Sequence, residues 1–157
     1  MGPAKIQGVL VNVLGVGVLI RGPSGVGKSF AALRLMDRGH KLVADDLLEV
    51  TEDREHGLIG KGLEPVPRIE IRGLGIYEAD SLFPGRTVSS STIDLIVDLG
   101  PYVPDRDAGR TEPDVGLENL LGSRVTRVRL PLPTGADPGL TIELLAGIFM
   151  RNGRLQP

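Results

Sequence analysis

The chain contains no cysteine. That absence excludes a disulfide scaffold, a thiolate zinc site, an iron–sulfur cluster and a thiol nucleophile, so any chemistry must come from oxygen, nitrogen and backbone groups. It also fits a reducing compartment. Aromatic side chains are scarce, with only Phe30, Tyr77, Phe83, Tyr102 and Phe149. A nucleic-acid groove built on stacked rings is not expected from so few. Charge of one sign is missing too: 18 Lys and Arg stand against 20 Asp and Glu, a formal net charge of −2. The longest apolar stretch, Val13 to Ile20, is broken by two glycines and is too short to cross a bilayer. Met1 to Lys5 has no Arg-rich leader or cleavage site, so no signal peptide is read and a cytoplasmic location is expected.

What is abundant is glycine and proline, 22 and 12 residues, about a fifth of the 157. The 41% hydrophobic content and the periodic apolar segments argue against disorder. The sequence therefore reads as many short elements joined by tight turns, in one domain over residues 1–157. A chain of this size hides roughly 70% of its unfolded surface on folding, enough for a core without a staple.

Gly8 to Val13 and Val16 to Ile20 form a hairpin pattern around Leu14-Gly15, with the glycine supplying positive φ. A helix is predicted over Ser29 to Arg38, where Ala32, Leu33, Leu35 and Met36 recur at helical spacing and Gly39 supplies the stop. Lys41 to Ala44 reads as a buried strand. Strand, glycine loop, helix and strand make a βαβ unit with a right-handed crossover and the two strands parallel. Leu47 to Val50 continues as strand, Thr51 to Pro67 as a polar connection, and Ile69 to Arg72 as a short strand entering the turn Gly73-Leu74-Gly75. Thr92 to Leu99 alternates as one half-buried strand, Gly100 to Glu112 reads as a loop, and Val125 to Leu130 as a strand. Asp137-Pro138 caps a helix with the stripe Ile142, Leu145, Ile148 and Phe149, ending at Gly153. The fold class is α/β with a mixed β-sheet.

The segment Gly22-Pro23-Ser24-Gly25-Val26-Gly27-Lys28-Ser29 fits G-x-x-x-x-G-K-S between a strand and a helix. Glycines let backbone N–H groups converge on phosphate oxygens, and the helix N-terminus adds its positive dipole end. Lys28 is expected to reach the β- and γ-phosphates of a nucleotide such as ATP, and the Ser29 hydroxyl to ligate Mg²⁺. Asp45 and Asp46 follow at the C-terminal end of the next strand, where open α/β sheets bind ligands. One carboxylate could hold the metal while the other takes a proton from an attacking hydroxyl. On the residues alone, Glu70 is an ordinary surface charge and His40 and His56 have no assigned chemistry. The arginines at 106, 110, 124, 127 and 129 read as a solvated face, with one able to reach a transferring phosphate.

These residues resemble a known family. The run Gly15 to Asp46, followed by Ile69 to Phe83, is similar to the catalytic (C-terminal) domain of HPr kinase/phosphorylase, the bacterial enzyme that phosphorylates a serine of the phosphocarrier protein HPr. The resemblance implies a short form without the family's N-terminal domain and a phosphoenolpyruvate-carboxykinase-like fold. It implies ATP on the loop Gly22 to Ser29, with Lys28 as phosphate-binding lysine and Ser29 as a metal ligand. Asp46 takes the place of the family's proton acceptor, with Asp45 beside it, and Glu70 that of the second metal ligand. Arg106 could correspond to the catalytic arginine across a shortened loop. Ile69 to Glu78 matches a segment needed for catalysis, and members are commonly homo-oligomers, often hexamers. Three departures stand out: Gln7 replaces a catalytic histidine, Phe30 an acidic residue, and Pro131 to Asp137 lacks the arginines of a loop tied to dephosphorylation. They argue against the reverse, phosphorylase reaction. A phosphate-loop kinase for another acceptor, and a nucleotide-binding regulatory module without catalysis, remain as alternatives.

Overall fold

The computed structural model describes residues 2–133 and 135–153. The predicted hairpin is present as β2 (Val9–Val13) and β3 (Val16–Arg21), paired antiparallel with Val11 opposite Val18. Its turn places both Leu14 (φ 57°) and Gly15 (φ 85°) in the left-handed region, so the non-glycine residue shares the strained geometry. The Asn12 side chain accepts from the Gly15 amide at 3.2 Å, which fixes the bend.

Helix α1 (Lys28–Asp37) follows the glycine loop. Ala31, Ala32, Leu35 and Met36 are its buried face, whereas Leu33, expected in the stripe, is only half-buried. Gly39 (φ 99°) turns the chain into β4 (Lys41–Ala44). β4 runs parallel to β3 as expected but is not its neighbour, because β2 lies between them and pairs antiparallel with both.

The six-stranded sheet is completed by β10 (Leu95–Pro101), β11 (Asp114–Leu120) and β12 (Ser123–Leu132), in the order β11-β12-β10-β3-β2-β4. β10 is parallel to both β3 and β12. The sheet is mixed, as the antiparallel hairpin and the βαβ unit together predict. β11 was not anticipated. The predicted strand Thr92 to Leu99 is split, since β9 (Ser90–Thr92) belongs to a different sheet and Asp94 turns out to accept from the Gly17 amide at 2.8 Å. Ile96 is buried like Leu95 and Val97, so β10 is covered on both faces rather than one.

One covering layer is helical. Helix α4 (Pro138–Asn152) packs beside α1, capped by the Asp137 carboxylate, which accepts from the Leu140 amide at 3.1 Å, and closed by Gly153. The other layer is a four-stranded antiparallel sheet of β1 (Ala4–Gln7), β5 (Leu47–Asp53), β6 (Gly57–Gly62) and β9, in the order β1-β5-β6-β9. The two cores follow from the alternation of β3 and β10. Val18, Ile20, Leu95 and Val97 face the helices, while Leu19 and Ile96 face Leu48, Val50 and Leu58. The connection expected over Thr51 to Pro67 is therefore mostly strand. Its glycines masked it: a Cβ at Gly60 would stand 2.5 Å from Leu10 and 2.9 Å from Leu48, so this strand needs glycine to approach its neighbours.

The remaining elements sit at the sheet edge. β7 (Arg68–Ile71) and β8 (Gly75–Glu78) form a small hairpin followed by α2 (Ala79–Leu82). The region expected as a loop after Gly100 carries the end of β10 and a short helix α3 (Pro104–Asp107).

Candidate functional site

The glycine loop joins the end of β3 to α1, and each of its three glycines is in a conformation or contact that a side chain would oppose. A Cβ at Gly22 would stand 2.6 Å from the Leu99 carbonyl oxygen on β10, while Gly25 (φ 83°) and Gly27 (φ 115°) adopt left-handed backbone. Gly27 is the N-cap of α1 and offers no capping side chain, and the first turn has no acidic residue. Its positive end is left for an anion. Lys28 folds back over the loop, donating to the carbonyls of Gly22 at 2.5 Å and Pro23 at 3.2 Å. The backbone between them, Pro23 to Gly25, is exposed.

Asp45 and Asp46 lie in the bend that separates β4 from β5, not within a strand. The half-buried Asp45 carboxylate accepts from the Ser29 hydroxyl at 3.1 Å and from the Glu70 amide at 3.3 Å. Burial pushes the Asp45 carboxyl up from its ordinary value, opposed by these two hydrogen bonds and reinforced by the neighbouring charges of Asp46 and Glu70. Asp46 is exposed and has φ 78°, a conformation costly for a residue other than glycine. Its carbonyl accepts from the Gly8 amide at 2.9 Å, directly after Gln7 at the end of β1. The two aspartates thus occupy different environments.

Glu70 is exposed on β7, opposite the buried Ile69 and Ile71. Its backbone, rather than its carboxylate, makes the contact to Asp45. Arg72, two residues on, brings its guanidinium to 3.5 Å from where a Cβ on Gly25 would be. This second cation over the loop was not among the expected site residues. Arg72 stands in the turn just after β7, and no local pattern marks it for the site.

Arg106 is half-exposed on α3 and bonded to Asp107 at 3.3 Å, not to the loop or the aspartates. Asp107 is buried. Arg129, at 2.6 Å, and the Val103 amide, at 2.7 Å, hold its carboxyl far below the usual carboxylate range. Arg127 and Arg129 are engaged with Asp98, Asp107 and Asp114. His40 is buried against Glu143 at 2.9 Å, and His56 is exposed beside Asp53. Of the altered segment Pro131 to Asp137, Thr134 lies outside the described residues.

The structure therefore brings Ser29, Asp45 and the backbone of Glu70 together at the mouth of the loop, whereas the side-chain hydrogen bonds of Arg106 go to Asp107. Among the described residues, no cluster of three or more His, Asp or Glu side chains is placed to hold a metal alone. An oxygen set of one hydroxyl and nearby carboxylates fits Mg²⁺, which takes few protein ligands and completes its shell with phosphate and water. No helix among the described residues is long and apolar enough to cross a membrane.

A mixed α/β sheet with a glycine loop and a carboxylate pair at the C-terminal edge of its strands defines the class of protein. The family described as HPr Serine kinase C-terminal domain matches residues 3–154, and the chain belongs to it. It is 40% identical over 146 residues to the HPr kinase/phosphorylase of Geobacillus thermodenitrificans (strain NG80-2), covering 92% of this chain and 47% of that protein. To the HPr kinase/phosphorylase of Limosilactobacillus reuteri (strain DSM 20016) it is 40% identical over 149 residues, covering 93% and 47%. The chain spans about half the length of these curated relatives. Among solved structures, the Hpr(Ser) kinase/phosphatase from Coxiella burnetii superposes with a TM-score of 0.85 at 28% identity, covering 96% of this chain and 92% of that one.

Proposed function

We propose that this chain carries the catalytic centre of an ATP-dependent kinase that phosphorylates a serine of an HPr-like phosphocarrier protein. The observation that carries the reading is the Ser29–Asp45–Glu70 linkage at the mouth of the loop Gly22 to Ser29. The loop amides and the α1 N-terminus hold the polyphosphate, and Lys28 leaves the Gly22 and Pro23 carbonyls to pair with the β- and γ-phosphates. Ser29 and Glu70, with Asp45 behind them, would hold Mg²⁺, whose charge offsets that of the phosphates when bound. Asp46, exposed and backbone-anchored, accepts the proton of the attacking serine hydroxyl. The serine oxygen then bonds to the γ-phosphorus as the bond to ADP breaks. The nearness of Arg72 to Gly25 supports it as the cation that offsets charge on the transferring group, in place of Arg106, which is bonded to Asp107.

Gln7 neighbours the peptide that anchors Asp46 and has no titrating side chain, which supports transfer in the forward direction only. The exposed α4 residues Leu140, Leu144 and Ile148 support self-association, which sedimentation would measure. The function is tested by transfer of label from γ-labelled ATP to purified HPr. Labelled phosphoserine on HPr is expected. ATP bound normally with HPr unlabelled would remove the acceptor from the reading, and labelling of another protein in its place would favour a kinase for a different acceptor.

A further inference from the structure

A groove of about 600 Å³ runs beside the first turns of α1, its lining including Phe30, Leu33, Arg34, Phe83, Ala136 and Asp137. This volume lies in the range of pockets for small organic ligands. Its position relative to the loop is fixed by the helix: Phe30 follows Ser29 and is turned about 100° from it around α1. Asp45, Glu70 and Arg72 occupy the surroundings of Ser29 and Gly25 on the β4 and β7 side. Phe30 stands on the groove side, as do Leu33 and Arg34, one turn along.

Phe30 is 60% exposed, although it is one of only three phenylalanines in the chain. Phe83, half-buried against the helical core, stands on the same groove. The polar rim is already paired, with the Arg34 guanidinium 3.3 Å from Asp137. A larger cavity of about 660 Å³ lies around Tyr102 and Arg129, but no residue of the glycine loop or of α1 lines it.

We propose that this groove receives the nucleoside of the bound nucleotide, with the base stacked on the Phe30 ring. The assignment rests on the phosphate-loop reading above. Lys28 marks the β/γ end of the polyphosphate. The α-phosphate end then runs past the first turn of α1, and the groove beside Phe30 is the space into which the nucleoside emerges. An apolar ring offers a stacking surface and no hydrogen-bond code, so adenine and guanine nucleotides bind alike.

The test is calorimetry of the full chain with Mg²⁺ and ATP, GTP or inorganic tripolyphosphate, for the native sequence and for Phe30→Ala. ATP and GTP should bind about tenfold more tightly than tripolyphosphate, and Phe30→Ala should erase that advantage while leaving tripolyphosphate unchanged. An unchanged advantage in the variant overturns the proposal. Failure of tripolyphosphate itself to bind overturns the phosphate-loop reading and this proposal with it. Because the chain has no tryptophan, Phe30→Trp supplies a single reporter at an exposed position. ATP and GTP should quench it and tripolyphosphate should not; an equal response to all three also refutes stacking.

Discussion

Replacing Asp45 with asparagine should separate stability from activity. The carboxylate is held by one hydroxyl and one amide, while burial and the charges of Asp46 and Glu70 oppose its ionised form. Asparagine keeps the shape and retains an acceptor for the Glu70 amide. The charged hydrogen bonds, worth about 1.5–3 kcal/mol each, become neutral ones worth about 0.5–1.5 kcal/mol. Against that loss, the variant no longer buries a charge or faces two like charges. The two effects are of similar size, so the net change in stability should lie within about 1 kcal/mol, a movement of about 2–4 °C at most in Tm for a chain of this length. Phosphoryl transfer should fall by about a hundredfold or more, because in the proposed mechanism the carboxylate behind the metal-holding Ser29 hydroxyl is gone. Thermal unfolding and transfer to HPr, measured on the same preparation, check both halves. A variant that melts many degrees lower yet transfers phosphate normally would show that Asp45 is a structural residue.

Asp46→Asn should abolish transfer while ATP binding, measured by calorimetry, stays within about threefold of native, because Asp46 acts on the acceptor rather than the nucleotide; an active variant refutes its role as base. Arg38 and, after it, His40 hold the Glu143 carboxyl down to about 2. Since the folded value lies below the ordinary one of about 4.3, its stabilising contribution is complete above that value and is lost as pH falls toward about 2. Denaturant titrations between pH 5 and about pH 2 should show this loss in the native chain and a shallower one in Glu143→Gln; parallel curves would exclude the linkage. Gly60→Ala should cost about 1–3 kcal/mol, read as a lower denaturation midpoint, because its methyl group meets the packed ends of Leu10 and Leu48.

The hairpin of β2 and β3, helix α1 and the capped helix α4 were legible because each carries its own punctuation: Leu14-Gly15, Gly39, Asp137-Pro138 and Gly153. The loop Gly22 to Ser29 was legible for the same reason. β6 was hidden by Gly57, Gly60 and Gly62, which mimic a turn in the sequence although Gly60 and Gly62 serve close contact with the six-stranded sheet and Gly57 (φ 79°) serves the bend before the strand. β11 was hidden because it is an edge strand whose Asp114 and Glu118 serve ion pairs with Arg129 and Arg21 instead of marking a loop. The second sheet, which buries the far face of β10, comes from pairings such as Ala4 with Val50 that no local pattern announces. Arg72 escaped notice since its placement depends on β7 folding back across the loop, a contact between distant parts of the chain.

The hydrogen bond from Gly8 to the carbonyl of Asp46 ties the outer sheet to the proposed base. β1 ends one residue before that amide and runs alongside β5, which begins one residue after Asp46. Twisting β1 would therefore reorient the peptide that carries the proposed base. In the proposed mechanism the aim at the acceptor would thus answer to the outer layer, coupled to the glycine bend through Asp45 and its bond to Ser29.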